Sequence, residues 1–155
     1  MITPEAYVDL FARFAQEKIR YVTVSGVAVI LRGHVRPVAD LDIVIDAVPA
    51  EAQRAMHTLM MAGFAPSIPL PLSVLTVLRM FDAAQREVDV FVRYPIPFEE
   101  MWASSENLPV GPTAARVVSL EHLLRAKRFN GRPHDLWDIE GLLALQKDVS
   151  AQSAE

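Results

Sequence analysis

Two aspartates spaced one residue apart, Asp40 and Asp42, are the strongest chemical signal in the sequence. Asp40 opens the apolar run Leu41–Ile45, which predicts a β-strand. Side chains alternate along a strand, so both carboxylates face the same side, with their Cα atoms roughly 6.5–7 Å apart. Carboxylates placed in this way could bind one hard cation such as Mg²⁺, which would also relieve their mutual repulsion. A solvated strand end carrying two surface carboxylates is the alternative.

Ser25 and Gly26 form a second candidate feature, because they stand directly after a β-branched run and directly before an apolar segment. A small-residue turn between a strand and a helix lets backbone N–H groups face an anion such as a phosphate. A tight turn that binds no ligand is the alternative.

Asp89 stands among β-branched apolar neighbours in a predicted strand, which is an unusual setting for an acid. It could be a strand-edge residue paired with Arg86 or Arg93. It could instead bring a third carboxylate to the pocket of the first two. Three acids on adjacent strands could hold two cations, or one cation beside a general base.

Lys127 is the best candidate for a cation at such a site. It shares one predicted helical face with Leu120, Leu123 and Leu124, which places it on a buried stripe. The alternative is a lysine whose stem is packed and whose ammonium reaches water.

Arg36 could orient Asp40 or contact phosphate, and the sequence leaves both roles open. Arg132 could assist the site or simply pair with Asp135. The helix dipole alone would explain an acid at position 135, and we expect Asp135 and Asp138 to be structural.

The composition limits the class of protein. The chain has 155 residues, a net charge of −4 and 52% hydrophobic residues, which is globular and does not favour non-specific duplex binding. It has no cysteine, which excludes disulfides and thiolate zinc sites. With no secretory signal pattern at residues 1–9, we expect a cytoplasmic protein.

The 24 residues between Arg54 and Arg79 carry no charge other than that of a protonated His57, and the stretch is long enough to cross a bilayer. Gly63 and the prolines at 66, 69 and 71 would break a helix in its middle. We therefore predict a helix end, a proline loop and a strand start, and no membrane association.

The local patterns predict an α+β fold with a small mixed β-sheet flanked by helices. We expect a single domain over residues 1–148 and a frayed C-terminal tail over 149–155. The predicted elements are helix 4–18, strand 21–24, helix 27–32, strand 41–45, helix 49–62, hairpin strands 74–81 and 87–92, helix 95–102, a loop or edge strand 108–113, helix 120–129 capped by Ser119, and a helix from Pro133 to about Lys147.

Taken together, Val24-Ser25-Gly26, the Asp40-Leu41-Asp42 strand and the later Asp89 resemble the nucleotidyltransferase superfamily that includes DNA polymerase beta. The closest resemblance is to small bacterial AbiEii-toxin-like and minimal nucleotidyltransferases. The segments 120–127 and 131–139 are similar to the helix pair that these proteins carry after the sheet, so the resemblance covers about 21–145. Many relatives have Gly-Gly or Gly-Ser at the turn, and often Thr where this chain has Val38.

The resemblance implies a nucleotidyltransferase fold and the transfer of a nucleoside monophosphate from a nucleoside triphosphate (NTP) to an acceptor hydroxyl. Asp40 and Asp42 would bind Mg²⁺ (or Mn²⁺) on the triphosphate, and Asp89 would bind a second metal or take the acceptor's proton. Ser25 and Gly26 would contact the β- and γ-phosphates. Lys127 would place its ammonium at the triphosphate.

The acceptor could be RNA, a protein or a small molecule such as an antibiotic, and a toxin–antitoxin role would fit the branch. A catalytically silent binding or regulatory module is the alternative function, and metal-dependent phosphodiester hydrolysis is a third. A homodimer or a partner protein could complete the site. The proline loop 66–71, with Ile68, Leu70 and Leu72, is an apolar candidate for that surface.

Overall fold

The computed structural model describes residues 2–68 and 76–153, the last four of them by backbone alone. The helices are α1 (Val8–Gln16), preceded by a 3-10 turn at Pro4–Tyr7, α2 (Ser25–Leu31), α3 (Pro49–Met61), α4 (Phe98–Ser104), α5 (Leu120–Asn130) and α6 (Pro133–Ser153). The strands are β1 (Tyr21–Val24), β2 (Leu41–Ile45), β3 (Ala65–Pro66), β4 (Val77–Phe81), β5 (Glu87–Phe91), β6 (Glu106–Val110) and β7 (Thr113–Val117).

The strands form one sheet in the order β3-β4-β5-β2-β1-β7-β6. The sheet is mixed, because β2 pairs antiparallel with β1 and parallel with β5, while β7 pairs parallel with β1. The predicted hairpin is present as the antiparallel pair β4–β5. The predicted mixed sheet flanked by helices is therefore confirmed, and its centre is the β1–β2–β5 region that carries the candidate residues.

Packing explains the position of the central strand. Leu41, Ile43 and Ile45 of β2 are completely buried and belong to the main hydrophobic core. Phe14 of α1 packs on Tyr21 of β1 with ring centroids 4.5 Å apart. Apolar burial of this kind is the main stabilising contribution to folding, and it fixes β2 with Asp42 on the opposite face.

One strand was not predicted. Residues 108–113 were expected to form a loop or an edge strand, and they contain the end of the edge strand β6 and the turn that follows it, but β7 was missed, which pairs with β6 in an antiparallel hairpin that extends the sheet beyond β1. The sequence signal was weak because Pro109 and the exposed polar positions of β6 lack the usual β-branched pattern. Gly111, with φ +54°, supplies the turn.

Helix boundaries also differ from the prediction: α2 (Ser25–Leu31) and α4 (Phe98–Ser104) are shifted from the predicted 27–32 and 95–102, and the first and last helices differ more. The predicted helix 4–18 is a 3-10 turn followed by the shorter α1, and α6 continues past Lys147 to Ser153. No Gly or Pro follows Gly141 in α6, so nothing in its local sequence stops the helix. The single domain 1–148 and the frayed tail 149–155 stay predictions.

Part of the uncharged stretch falls outside the described residues. Residues 74 and 75 of the predicted strand and residues 69–72 of the predicted apolar surface lie outside the described residues. Ile68 of that surface is described, and it is 43% exposed. Across residues 2–68 and 76–153, no helix is both long enough and apolar enough to cross a membrane.

Candidate active site

Three carboxylates converge on one face of the sheet. Asp40 immediately precedes β2, and Asp42 lies within β2, directly opposite Asp89 of the parallel strand β5. Each of the three offers a carboxylate oxygen, and these oxygens all lie within 4.8 Å of one another. The structure thus brings together the three acids that the sequence singled out, and β2–β5 pairing is what joins the third to the first two.

Asp42 is the member of this acid triad whose surroundings most disfavour a negative charge. Burial and the neighbouring carboxylate of Asp40 raise the pKa of Asp42 from 3.8 to about 7, against a hydrogen bond from Ser25 that lowers it. Its Oδ1 atom is buried and has no hydrogen-bond partner among the described residues. An unpartnered buried carboxylate oxygen beside two further carboxylates fits a hard divalent cation.

Asp89 pairs with neither of the two arginines considered from the sequence. Arg86 instead binds Asp9 and Asp82. The partner of Asp89 is Arg79, which lies directly opposite it in the β4–β5 hairpin with Nε 3.2 Å from Oδ1. This ion pair does not draw Asp89 away from the triad. Burial still raises the pKa of Asp89 overall, although the hydrogen bond from Arg79 lowers it.

Glu87 is a fourth acid that the sequence reasoning missed. It lies two residues before Asp89 on β5 and therefore on the same face, and it lies close to the carboxyl group of Asp40. Burial and this contact raise the pKa of Glu87 to about 7, while Arg79, 3.2 Å away, lowers it. The alternation Glu87-x-Asp89 repeats the Asp40-x-Asp42 pattern and was the available signal.

The Ser25–Gly26 turn borders the triad. Ser25 begins α2 with φ +58°, a left-handed conformation that residues with a side chain seldom adopt. A Cβ atom on Gly26 would lie 2.5 Å from Cγ1 of Val38 and 3.2 Å from Nη2 of Arg36. Position 26 therefore requires glycine because the 36–38 segment packs against its backbone.

The ammonium of Lys127 does not reach water, so the alternative prediction for this residue was wrong. Only 5% of the residue is exposed, and its ammonium lies 2.9 Å from Asp138 and 3.3 Å from Asp135. Both aspartates are completely buried. The helix dipole is thus not a sufficient explanation of Asp135, because Asp135 and Asp138 of α6 together neutralise Lys127 of α5.

The same two acids hold the neighbouring arginines. Nε of Arg36 lies 2.8 Å from Asp138, and Nε of Arg132 lies 2.8 Å from Asp135. Among the described residues Arg36 forms its ion pair with Asp138 and not with Asp40, so the orienting role considered for it is not seen. Arg132 pairs with Asp135, which is one of the two roles that the sequence left open for it.

These groups line two adjoining cavities. One, of about 370 Å³, is lined by the three acids of the triad and by three cationic side chains, which are Arg36, Lys127 and Arg132. A second, of about 420 Å³, shares Ser25, Asp42 and Arg132 with the first and continues to Tyr94 and Asn130. A cavity lined by both carboxylates and cationic side chains is suited to a metal-bound polyphosphate, in which both charges occur.

The fold is that of nucleotidyltransferases. The structure is similar to that of the lincosamide antibiotic adenylyltransferase LnuA in its lincomycin-bound form, with a TM-score of 0.65 and 18% identity over 91% of this chain and 96% of that chain. It is similar to ANT(2")-Ia in complex with adenylyl-2"-tobramycin, with a TM-score of 0.64 and 10% identity over 96% and 92% of the two chains.

An antigenic nucleotidyltransferase-like protein from Paracoccidioides brasiliensis also matches, with a TM-score of 0.61 and 17% identity over 90% of this chain and 74% of that one. No protein-family model matches the sequence, and no curated protein sequence matches it. At these identities the likeness establishes the fold, which agrees with the fold that the sequence resemblance implied.

Proposed function

We propose that this chain is a metal-dependent nucleotidyltransferase, which transfers a nucleoside monophosphate from an NTP to an acceptor hydroxyl. The observation that carries the proposal is the convergence of Asp40, Asp42 and Asp89, whose carboxylate oxygens lie within 4.8 Å of one another. The fold supports it, since one similar structure is an antibiotic adenylyltransferase and another holds an adenylylated antibiotic.

In this reaction the acceptor oxygen forms a bond to the α-phosphorus, the bond from that phosphorus to the bridging oxygen breaks, and pyrophosphate leaves. A divalent cation such as Mg²⁺ or Mn²⁺, held by Asp40 and Asp42, would neutralise charge on the triphosphate and on the departing pyrophosphate. The acceptor's proton must pass to a base. Asp89 is the candidate for that base or for the ligand of a second ion, and the number of metal ions bound per chain distinguishes the two roles.

The remaining task of the site is to bind and orient the triphosphate. Ser25 and Gly26 line the cavity of the triad and would contact the β- and γ-phosphates. Lys127 and Arg36 line the same cavity, where their charges would attract the same oxygens. Transfer of this kind depends mainly on positioning and charge neutralisation, which the described side chains can supply.

The first test measures metal and nucleotide binding. We expect Mn²⁺ to bind the wild-type chain in an electron paramagnetic resonance titration, and Mg²⁺-NTP to bind in isothermal titration calorimetry. Asp40→Asn and Asp42→Asn should each weaken both by at least tenfold. Asp46→Asn is the matched control, because Asp46 is a buried acid just past β2 that pairs with Arg20, outside the cavity. Wild-type binding in both site variants would contradict the proposal.

The second test looks for transfer. The chain is incubated with each labelled NTP and Mg²⁺, together with RNA, protein or small-molecule acceptors, and the products are examined by mass spectrometry. Lincomycin and tobramycin belong in the small-molecule set because they occur in two of the similar structures. Modified acceptor plus pyrophosphate is the expected result.

The same assay separates the other functions. Tight Mg²⁺-NTP binding without any transfer would instead indicate a silent binding module, and release of nucleotides from nucleic acid would indicate hydrolysis. The AbiEii-like branch and a toxin–antitoxin role remain narrower proposals. Growth arrest on expression in bacteria, relieved by Asp42→Asn, is the result that would support them.

A further inference from the structure

Arg79 lies at the edge of the candidate site and has no role in the function proposed above. It stands on β4 directly opposite Asp89 of β5, so both side chains project from the same face of the sheet. Two hydrogen bonds join them, because Nε of Arg79 donates to Oδ1 of Asp89 at 3.2 Å and Nη2 donates to Oδ2 at 3.5 Å. The guanidinium therefore contacts both oxygens of the third acid of the triad.

The same guanidinium contacts a second acid of β5. Nε of Arg79 lies 3.2 Å from Oε2 of Glu87, which precedes Asp89 by two residues. The arginine side chain is 59% exposed, but the carboxylates of Glu87 and Asp89 both oppose its withdrawal into water. Arg79 thereby supplies a fixed positive charge at the β5 side of the triad.

The β2 and β5 sides of the triad differ in what their carboxylates can still bind. On β2, Oδ1 of Asp42 is buried and has no hydrogen-bond partner among the described residues, which leaves it available to a divalent ion. On β5, both oxygens of Asp89 already accept hydrogen bonds from Arg79. The geometry therefore favours an ion on the β2 carboxylates over an ion on Asp89.

A second divalent ion at Asp89 would also lie close to the guanidinium. Mg²⁺ binds carboxylate oxygens at about 2.1 Å, so an ion on Oδ1 of Asp89 would lie no more than about 5.3 Å from Nε of Arg79. Like charges at this separation repel each other strongly in a partly buried site. Arg79 already provides at Asp89 the positive charge that a second ion would bring.

We propose that Arg79 takes the place of a second divalent ion, so that the chain binds a single divalent ion, at Asp40 and Asp42. The inference rests on the proposed function and deepens it, because it selects between the two roles left open for Asp89. Without a second ion to ligate, Asp89 keeps the role of base, and the proton of the acceptor hydroxyl passes to its carboxylate. Arg79 is a positioning residue, since it acts on the reaction through Asp89.

The test counts the Mn²⁺ ions bound per chain by electron paramagnetic resonance, without nucleotide, so that no ion is bound by a triphosphate. The wild type should bind one ion. Arg79→Gln removes the charge and should bind two, with the affinity for the second ion raised by roughly tenfold or more. Two Mn²⁺ ions about 3.5–4 Å apart couple magnetically, so the variant should show a spin-coupled spectrum that the wild type lacks. Arg79→Lys keeps the charge and should bind one ion.

Arg125→Gln is the matched control, because Arg125 is 49% exposed and lies 3.2 Å from a carboxylate, that of Glu100, while neither residue lines the cavity of the triad. It should leave one ion per chain. Retained binding of the first ion shows that each variant is folded. Two ions on the wild type, or a single ion on Arg79→Gln, would overturn the role of Arg79, while binding of Mg²⁺-NTP would leave the proposed function standing. A wild-type chain that binds neither Mn²⁺ nor Mg²⁺-NTP overturns both.

Discussion

Replacing Asp42 by asparagine should stabilise the metal-free chain while destroying metal binding. Burial and the Asp40 carboxylate raise the pKa of Asp42 from 3.8 to about 7, so the charged form is disfavoured in the folded state. Each pKa unit corresponds to about 1.4 kcal/mol, which gives a cost of about 4 kcal/mol once the group is fully ionised. An asparagine of the same shape carries no charge, and we expect it to recover about 2–4 kcal/mol.

The sign of the pH dependence follows from the raised pKa. The folded chain holds the Asp42 proton more tightly than the unfolded chain, so wild-type stability falls as the pH rises from about 4 to about 7. The asparagine variant lacks this loss. Its advantage should be under about 1 kcal/mol at pH 4, grow with pH, and be complete above pH 7.

The assay is urea denaturation of the two proteins with EDTA present, at pH 4, 6 and 8. Adding Mg²⁺ should then reverse the order at pH 8, because the cation stabilises only the chain that binds it. Asp46→Asn is the control, and it should lower the free energy of unfolding where Asp42→Asn raises it. The reason is that Asp46 accepts hydrogen bonds from Arg20 and from the backbone N–H of Val48. Destabilisation by Asp42→Asn in EDTA at pH 8, or a difference independent of pH, would refute the argument.

Two further predictions concern other charged groups. Lys127→Met should destabilise the chain by about 3–5 kcal/mol in urea denaturation, because it leaves two buried carboxylates without their shared cation, whereas Met at the exposed neighbour Arg128 should cost under about 0.5 kcal/mol. Burial raises the pKa of Asp82, but hydrogen bonds from Arg86 outweigh it and hold the pKa below its usual value. Asp82→Asn should therefore destabilise the chain above pH 4, with the difference shrinking as the pH falls below that value; a difference that grows in acid would contradict the assignment.

Local sequence patterns were sufficient for the central part of the fold. The alternation in Leu41–Ile45 predicted both the strand and the shared face of Asp40 and Asp42, because strand periodicity depends only on neighbouring residues. Ser119 caps α5 by accepting a hydrogen bond from the backbone N–H of His122, and Gly131 ends that helix with φ +62°. Capping is likewise a local property, which is why both ends of α5 could be predicted.

The identities of the partners could not be predicted in this way. Whether Asp89 paired with Arg79, Arg86 or Arg93 depended on hairpin register, since one residue of slip would place a different side chain opposite it. The pairing of Lys127 with Asp138 required α5 and α6 to pack against each other. The sequence placed each of these residues in an element and predicted the β4–β5 hairpin, but it did not reveal the register of that hairpin or which faces of α5 and α6 would meet.

The sequence by itself therefore determined which residue types stand at the strand and helix positions, including the three acids and the turn at Ser25. The tertiary structure decided that Asp89 lies opposite Asp42 and that Arg36 pairs with Asp138. These contacts join segments that lie 47 or more residues apart in the chain, and their geometry is set by strand pairing and core packing. Periodicity and local hydrogen bonds extend over only a few residues, so they could not reveal them.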